Sequence, residues 1–152
     1  MARLVVGDSP ARLFPSAGSV PVVPAAGLAA WSLFVWGGRL RNLLAEPGGL
    51  GELTGGDRWS LIGSLLFGVL ALATLVTLMV ARRFTVVPAT VLAVLGIAVW
   101  AYRGVVILGR DYSAGFMAVH TILAGISIGL GLWCLRSMYG LGGRATQPGD
   151  SL

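Results

Sequence analysis

The chain has 152 residues, of which 56% are hydrophobic and only 11% are charged. Soluble domains carry about 25% charged residues, so the composition excludes a soluble core and indicates an integral membrane protein in a lipid bilayer. The net charge of +5 suits an anionic membrane surface, but the basic residues form no clustered face of the kind that binds nucleic acid.

Four apolar stretches follow one another along the chain, at 20–38, 60–81, 84–108 and 114–135. Each is long enough for a helix to cross a hydrocarbon core about 30 Å thick, which takes about 20 residues. The first stretch is the weakest, because prolines interrupt its beginning and Arg39 follows its end. The sequence predicts an all-α membrane protein, a bundle of four transmembrane helices with short loops.

The membrane domain is predicted to cover residues 20–139, with a tail at each end. Residues 1–19 are expected to form a flexible N-terminal tail, in which Asp8, Pro10, Arg12 and Pro15 interrupt any hydrophobic region of a signal peptide. Residues 140–152 are rich in glycine and polar residues and are expected to form a disordered C-terminal tail. The short connections leave the spans as the place where any function must reside.

Four spans would place both termini on the same side of the membrane. The arginines divide almost evenly between the two sides, six against five, so the positive-inside rule gives little preference. Arg82 and Arg83 in the shortest connection, with Arg136 at the end of the fourth stretch, favour the side of the termini. We therefore expect a multi-pass protein of the cell membrane with both termini in the cytoplasm.

Small residues recur at four-residue spacing, at Ser64 and Gly68 in the second stretch and at Gly125 and Gly129 in the fourth. Such stripes let helix backbones approach closely in lipid. The spacing leaves three interpretations open: packing within the chain, contact with a second copy or a partner, or coincidence in a chain with 23 glycines.

The polar side chains of the spans lie at similar depths. Arg103 lies five residues before the end of the third stretch, and His120 lies six residues into the fourth, so both are about 7 to 9 Å below the same boundary. In the predicted orientation that boundary belongs to the outer leaflet. Ionisable groups inside membranes tend to face a polar cavity. We predict an outer-leaflet polar pocket with six candidate residues: Arg39, Arg41, Asn42, Arg103, Asp111 and His120.

Each of these residues also has a structural interpretation. Arg103 could extend to the lipid headgroups and pair with Asp111. His120 could hydrogen-bond to a neighbouring helix or a carbonyl. Arg39 and Arg41 point to different sides of a helix and could simply end a span at the interface.

Tryptophans are expected in two roles. Trp36 and Trp59 lie near the predicted ends of spans, where amphipathic rings anchor a helix at the interface. Trp31 and Trp100 lie deeper and are predicted to pack against other helices.

Enzymatic activity is not expected. One histidine and one cysteine, Cys134, without spaced carboxylates, give no pattern for zinc, di-iron or haem. The sequence has no nucleophile elbow, phosphate loop or dinucleotide fingerprint. We predict neither a cofactor nor a metal.

Two segments carry a family resemblance. FVWGGRLRNLL at 34–44 and DYSAGFMAVHTILAGISI at 111–128 resemble small uncharacterised four-span membrane proteins of high-GC Gram-positive bacteria. The resemblance implies a bacterial inner membrane and supplies no function.

Two functions follow as hypotheses. The favoured one is a non-enzymatic accessory or scaffold component of a membrane complex, which contacts a larger membrane-protein partner or forms a homo-oligomer. The alternative is binding or transport of a phosphate-bearing lipid or anion, for which the arginine fork is well suited. The first is favoured because no polar path continues into the inner leaflet.

Overall fold

In a computed structural model, residues 20–46 and 54–140 are described, so the predicted N-terminal tail and residues 141–152 of the C-terminal tail lie outside the described part. Four α-helices and one short 3-10 turn form this part: α1 (Val22–Ala45), α2 (Gly55–Val80), the turn (Arg82–Phe84), α3 (Val86–Leu108) and α4 (Ala114–Tyr139). The described residues contain no strand. The prediction of an all-α fold is confirmed.

Three of the four helical segments are long and apolar enough to cross a membrane, namely α2, the segment Arg82–Leu108 made of the turn and α3, and α4. The prediction of a first span at 20–38, and hence of four spans, is wrong, because α1 is not among the helices that are long and apolar enough to cross a membrane. The helix does not end at residue 38 but runs on to Ala45. Arg39, Arg41 and Asn42 therefore belong to α1 itself and make its second half polar.

The outer surface of the spans is apolar. Large side chains such as Val69 and Met79 are 65% and 85% exposed. Soluble monomers rarely expose large contiguous apolar areas, so this surface is suited to contact with lipid.

Side chains and glycine define the helix ends. The hydroxyl oxygen of Thr54 accepts a hydrogen bond from the backbone N–H of Asp57, and that of Ser113 accepts one from Phe116, both at 3.4 Å. These bonds satisfy N–H groups that have no partner in the first turn of a helix. At the end of α4, Gly140 has a φ of 63°, a left-handed conformation that glycine adopts without a Cβ clash.

The helices pack as two helical hairpins. α1 packs mainly on α2, and α3 mainly on α4, while smaller α1–α4 and α2–α3 contacts join the pairs. α1 and α3 touch across the centre, whereas α2 and α4 make no contact within the described residues. α1 and α3 thus form the inner pair of helices, and α2 and α4 lie on opposite sides of that pair.

The first helices of the two hairpins also repeat each other in sequence. Residues 22–39 of α1 and 86–103 of α3 align without a gap, and nine of these 18 positions are identical. Four of the identical pairs are buried in both helices. Chance cannot readily produce matching sequence and matching burial together, so α1 and α3 are repeats of one helix. The buried pairs are Ala25 with Ala89, Leu28 with Leu92, Ala29 with Ala93, and Trp36 with Trp100.

The tight part of the core lies near the Arg82–Phe84 turn, at what we call the hairpin end. There, the fully buried alanines of α1, α2 and α3 let the helices approach closely. The closest approach on α4 is at Gly131, where an added Cβ would lie 2.9 Å from the Cγ1 atom of Ile97. At the opposite end, which contains the α3–α4 connection and is called the connection end, larger side chains replace the alanines.

Candidate functional site

A cavity of about 600 Å3 lies in the half of the bundle next to the connection end. It is enclosed by the second half of α1, the second half of α3 and the first half of α4. A cavity of this size is typical of small-molecule and cofactor sites. Its lining consists of Phe34, Val35, Trp36, Gly38, Arg39, Asn42, Trp100, Tyr102, Arg103, Val106, Ile107, Phe116, His120 and Leu123.

The α1 side of the cavity presents Arg39 and Asn42, which lie one helical turn apart. The Nε atom of Arg39 donates a hydrogen bond of 2.8 Å to the Oγ atom of Ser60 on α2. This bond holds the stem of Arg39 and leaves the two terminal nitrogens of the guanidinium for other partners. Arg41 is exposed and does not line the cavity, because residues two apart are separated by about 200° around a helix.

Arg103 is held over an aromatic ring. Its guanidinium carbon lies 5.4 Å from the centre of the Trp36 ring, within the range of a cation–π interaction. Trp36 is buried and stacks in turn on Phe67 of α2, with ring centres 4.4 Å apart and an angle of 6° between the planes. Trp36 therefore packs inside the bundle, and the prediction that it anchors the interface is wrong.

The position of Arg103 also bears on its predicted pairing with Asp111. Asp111 is exposed in the α3–α4 connection and is not part of the cavity lining. Arg103 stays half-buried beside Trp36. One side of its guanidinium is directed to the Trp36 ring, while the N–H groups directed away from the ring remain available as donors.

His120 is oriented by its own helix. Its Nδ1 atom lies 2.9 Å from the carbonyl oxygen of Phe116, and a carbonyl only accepts, so Nδ1 carries the proton. The imidazole also stacks on the Phe116 ring, with centres 3.9 Å apart. The structure therefore places this hydrogen bond within α4 rather than between helices, and Nε2 is left as the nitrogen that can meet a ligand.

The cavity combines positive charge with apolar walls. Two guanidinium groups, the amide of Asn42 and the imidazole of His120 line it, and no carboxylate is found among the described lining residues. Four of the six predicted residues are thus brought together, while Arg41 and Asp111 stay outside. Such a site can donate hydrogen bonds to an anion and cover an apolar group attached to it.

The four predicted packing residues are placed differently from one another. Ser64 is buried, and its hydroxyl donates a hydrogen bond of 2.8 Å to the carbonyl of Ser60. Gly68 is half-buried, and Gly125 and Gly129 are exposed, with no atom within 4 Å of an added Cβ at any of the three. The GxxxG stripe of α4 therefore faces outward, and Gly131 makes the close contact instead.

The aromatic half of the cavity was missed by the sequence prediction. The sequence does contain a pattern that predicts these aromatic walls, because each charged or titratable side chain of the cavity follows an aromatic residue by one helical turn. The repeat of α1 in α3 is the second missed signal, since it relates Arg39 directly to Arg103. The aromatic and polar pairs are Trp36 with Arg39, Trp100 with Arg103, and Phe116 with His120.

The chain matches no family model, no curated protein and no solved structure. The resemblance to small membrane proteins of high-GC Gram-positive bacteria stays a prediction. The cavity is therefore the feature of the protein that indicates a function.

Proposed function

We propose that this membrane protein binds a phosphate-bearing lipid or anion in the cavity at its connection end. The observation that carries the proposal is a pair of guanidinium groups, Arg39 and Arg103, in a largely apolar cavity whose described lining contains no carboxylate. Both groups carry a positive charge toward the same space, and like charges repel one another. An anion bound between them would remove that repulsion.

The donor geometry favours phosphate over other anions. The Arg103 guanidinium lies over the Trp36 ring, so the N–H groups directed away from that ring are the part that can bind, and two N–H groups of one guanidinium match two oxygens of one phosphate. The amide of Asn42 on α1 adds a further donor, while His120 on α4 lines the site as a polar group whose Nε2 atom is an acceptor in the neutral ring. Three helices thus contribute to one binding site.

Binding is favoured over transport. The cavity lies in one half of the bundle, and the other half is closed by the buried alanine core around Ala29, Ala71 and Ala93. No polar side chain of the cavity lining reaches that core. The alternative of transport would require a second arrangement of the helices.

The test is mass spectrometry of the intact protein in mild detergent, with synthetic anionic and zwitterionic phospholipids of equal chain length. We expect preferential retention of the anionic lipids and loss of that preference in the combined Arg39→Gln and Arg103→Gln variant. Arg41→Gln is the matched control, because it removes the same charge from α1 outside the cavity. Equal retention of anionic and zwitterionic lipids by the wild type would contradict the proposal.

The orientation in a cell membrane belongs to the same proposal. Arg82 and Arg83 lie at the hairpin end, and Arg136 lies near the same end of α4, which supports a cytoplasmic location for that end. Because α1 runs beside α2 in the opposite direction, Val22 and Tyr139 both lie toward the hairpin end, and the cavity would lie in the outer half. The expectation that both termini are cytoplasmic requires a crossing by α1, which is not among the segments long and apolar enough to span. A reporter inserted after Gly109 should then respond from outside the cytoplasm, and a cytoplasmic signal there would reverse the orientation.

The second candidate is an accessory or scaffold subunit without enzymatic activity. The exposed stripe at Gly125 and Gly129 supports it, because a helix of a partner or of a second copy could approach closely there. The same mass spectra would reveal such a complex. Gly125→Leu with Gly129→Leu should dissociate it without affecting the retained lipid.

A further inference from the structure

The repeat of α1 in α3 suggests which phosphate group the cavity takes. We propose that the ligand is a lipid with a dianionic phosphate headgroup, a phosphomonoester or a diphosphate, held by one guanidinium from each helical hairpin. This inference rests on the proposed function and specifies its ligand class.

The two arginines occupy equivalent positions in the repeat. With an offset of 64 residues, Arg39 corresponds to Arg103, and Trp36 to Trp100. Both members of each pair line the cavity. A ligand in the cavity therefore meets one arginine from each helix of the repeat. Two further cavity pairs follow the same offset, Gly38 with Tyr102 and Asn42 with Val106.

Each guanidinium has donors to offer. Arg39 uses its Nε atom for Ser60, which leaves its terminal nitrogens. Arg103 lies over the Trp36 ring, which leaves the N–H groups directed away from that ring. Within the described residues, neither arginine is paired with a carboxylate of the cavity lining. Two sets of N–H donors from opposite helices can therefore bind different oxygens of one phosphate group.

The charge balance selects the headgroup. A phosphodiester carries one negative charge and would leave one of the two guanidinium groups uncompensated. A phosphomonoester has a second ionisation near pH 6 and carries about two negative charges above it. Only a dianionic headgroup neutralises both Arg39 and Arg103 in a site without a carboxylate.

The remaining lining explains why the ligand should be a lipid rather than inorganic phosphate. The cavity holds about 600 Å3, far more than a phosphate ion would fill. Apolar side chains including Phe34, Ile107 and Leu123 surround the polar groups. A hydrocarbon chain attached to the phosphate would bury this surface, at about 25 cal/mol per Å2 of apolar area.

The experiment uses the full chain in mild detergent at pH 8. Dioleoyl phosphatidic acid, which has a phosphomonoester, competes with dioleoyl phosphatidylglycerol, which has a phosphodiester, and bound lipid is read by mass spectrometry of the intact protein. We expect the phosphomonoester lipid to bind about tenfold more tightly, equivalent to about 1.4 kcal/mol. Inorganic phosphate, as the soluble source of the same group, should not displace it at equal concentration.

Variants test the equivalence of the two arginines. Arg39→Gln and Arg103→Gln should each bring the preference for the phosphomonoester close to one, and Arg41→Gln should leave it unchanged. If either glutamine variant fails to fold, the corresponding lysine variant, which keeps the charge, replaces it in the experiment. The competition between the phosphomonoester and the phosphodiester lipid for the wild-type protein still tests the ligand class. An effect of Arg103→Gln without an effect of Arg39→Gln would contradict the two-arginine site.

The experiment distinguishes failure of the dianionic headgroup from failure of the proposed function. Equal binding of the two anionic lipids, both stronger than a zwitterionic lipid, would overturn the dianionic headgroup and leave the proposed function standing. No preference of any kind would overturn both. Displacement by inorganic phosphate at equal concentration would show that the hydrocarbon chain is not recognised.

Discussion

The guanidinium carbon of Arg103 lies 5.4 Å from the centre of the Trp36 ring, and this contact joins α3 to α1 at the wall of the cavity. Because Trp36 also stacks on Phe67 of α2, the position of the Arg103 side chain depends on packing between all three helices. The charge at the site is thus positioned by an aromatic stack rather than by an acidic partner.

Arg103→Lys should lower the affinity for the phosphomonoester lipid by about tenfold although the charge is retained. A compact ammonium cannot cover the indole and bind two phosphate oxygens with the same plane. Lipid titration followed by mass spectrometry measures the change, with Arg41→Lys as the control. Full affinity in Arg103→Lys would mean that charge alone is recognised.

Ser127→Ala should lower the free energy of unfolding by about 1 kcal/mol. Trp31 donates a 2.9 Å hydrogen bond from its indole Nε1 atom to the Oγ atom of Ser127, whose own proton goes to the carbonyl of Leu123. Removing the hydroxyl leaves the indole N–H without this acceptor. Thr121→Ala, at an exposed position on the same helix, is the control.

A double-mutant cycle isolates this bond between α1 and α4. Trp31→Phe and Ser127→Ala should show a coupling energy of about 0.6 kcal/mol, typical of hydrogen bonds between membrane helices. Unfolding in mixed detergent micelles gives the four free energies. Strictly additive effects would show that the two side chains do not interact.

Gly131→Ala should destabilise the bundle, whereas Gly129→Ala should not. A Cβ at position 131 would lie 2.9 Å from Cγ1 of Ile97 and 3.3 Å from the backbone oxygen of Ala93, while position 129 has no atom within 4 Å. Overpacking of this kind costs about 1 to 3 kcal/mol. Thermal unfolding of the two variants provides a matched comparison on one helix.

The opposite ranking of the two glycine variants would mean that the GxxxG stripe of α4, not Gly131, packs inside the chain. The same pair of variants also addresses self-association. Since Gly129 faces outward, a bulky side chain there should act only on contacts with another molecule.

Cys134 should resist maleimide until the protein is unfolded. Its side chain is fully buried on α4, and a buried thiol is inert because the reagent cannot reach it. Labelling in mild detergent and after denaturation in dodecyl sulfate gives the two measurements. A cysteine introduced at the exposed position Thr121, in a Cys134→Ala background, should react in both.

Depth along the helices could be predicted from the sequence. Counting 1.5 Å per residue from the ends of the apolar stretches placed Arg103 and His120 at the same level, and both line the cavity. The direction around each helix could not be predicted in this way. Arg39 and Arg41 have almost the same depth, yet only Arg39 lines the cavity, because the neighbours of α1 decide which face is covered.

The length of α1 shows a different kind of error. The first apolar stretch ends at residue 38, but backbone hydrogen bonding continues the helix to Ala45. Arginine and asparagine are tolerated within a helix, so hydropathy marks where a segment stops being apolar and not where it stops being helical.

By itself, the sequence determined the all-α character, three of the four helices as long and apolar enough to cross a membrane, and the level at which the polar groups lie, because these depend on composition and on the fixed rise of a helix. Only the tertiary structure decided that Trp36 is buried under Arg103, that Gly131 rather than Gly129 meets α3, and that Asp111 stays outside the cavity. These outcomes depend on which faces pack together, and packing is a property of pairs of helices rather than of one stretch of sequence.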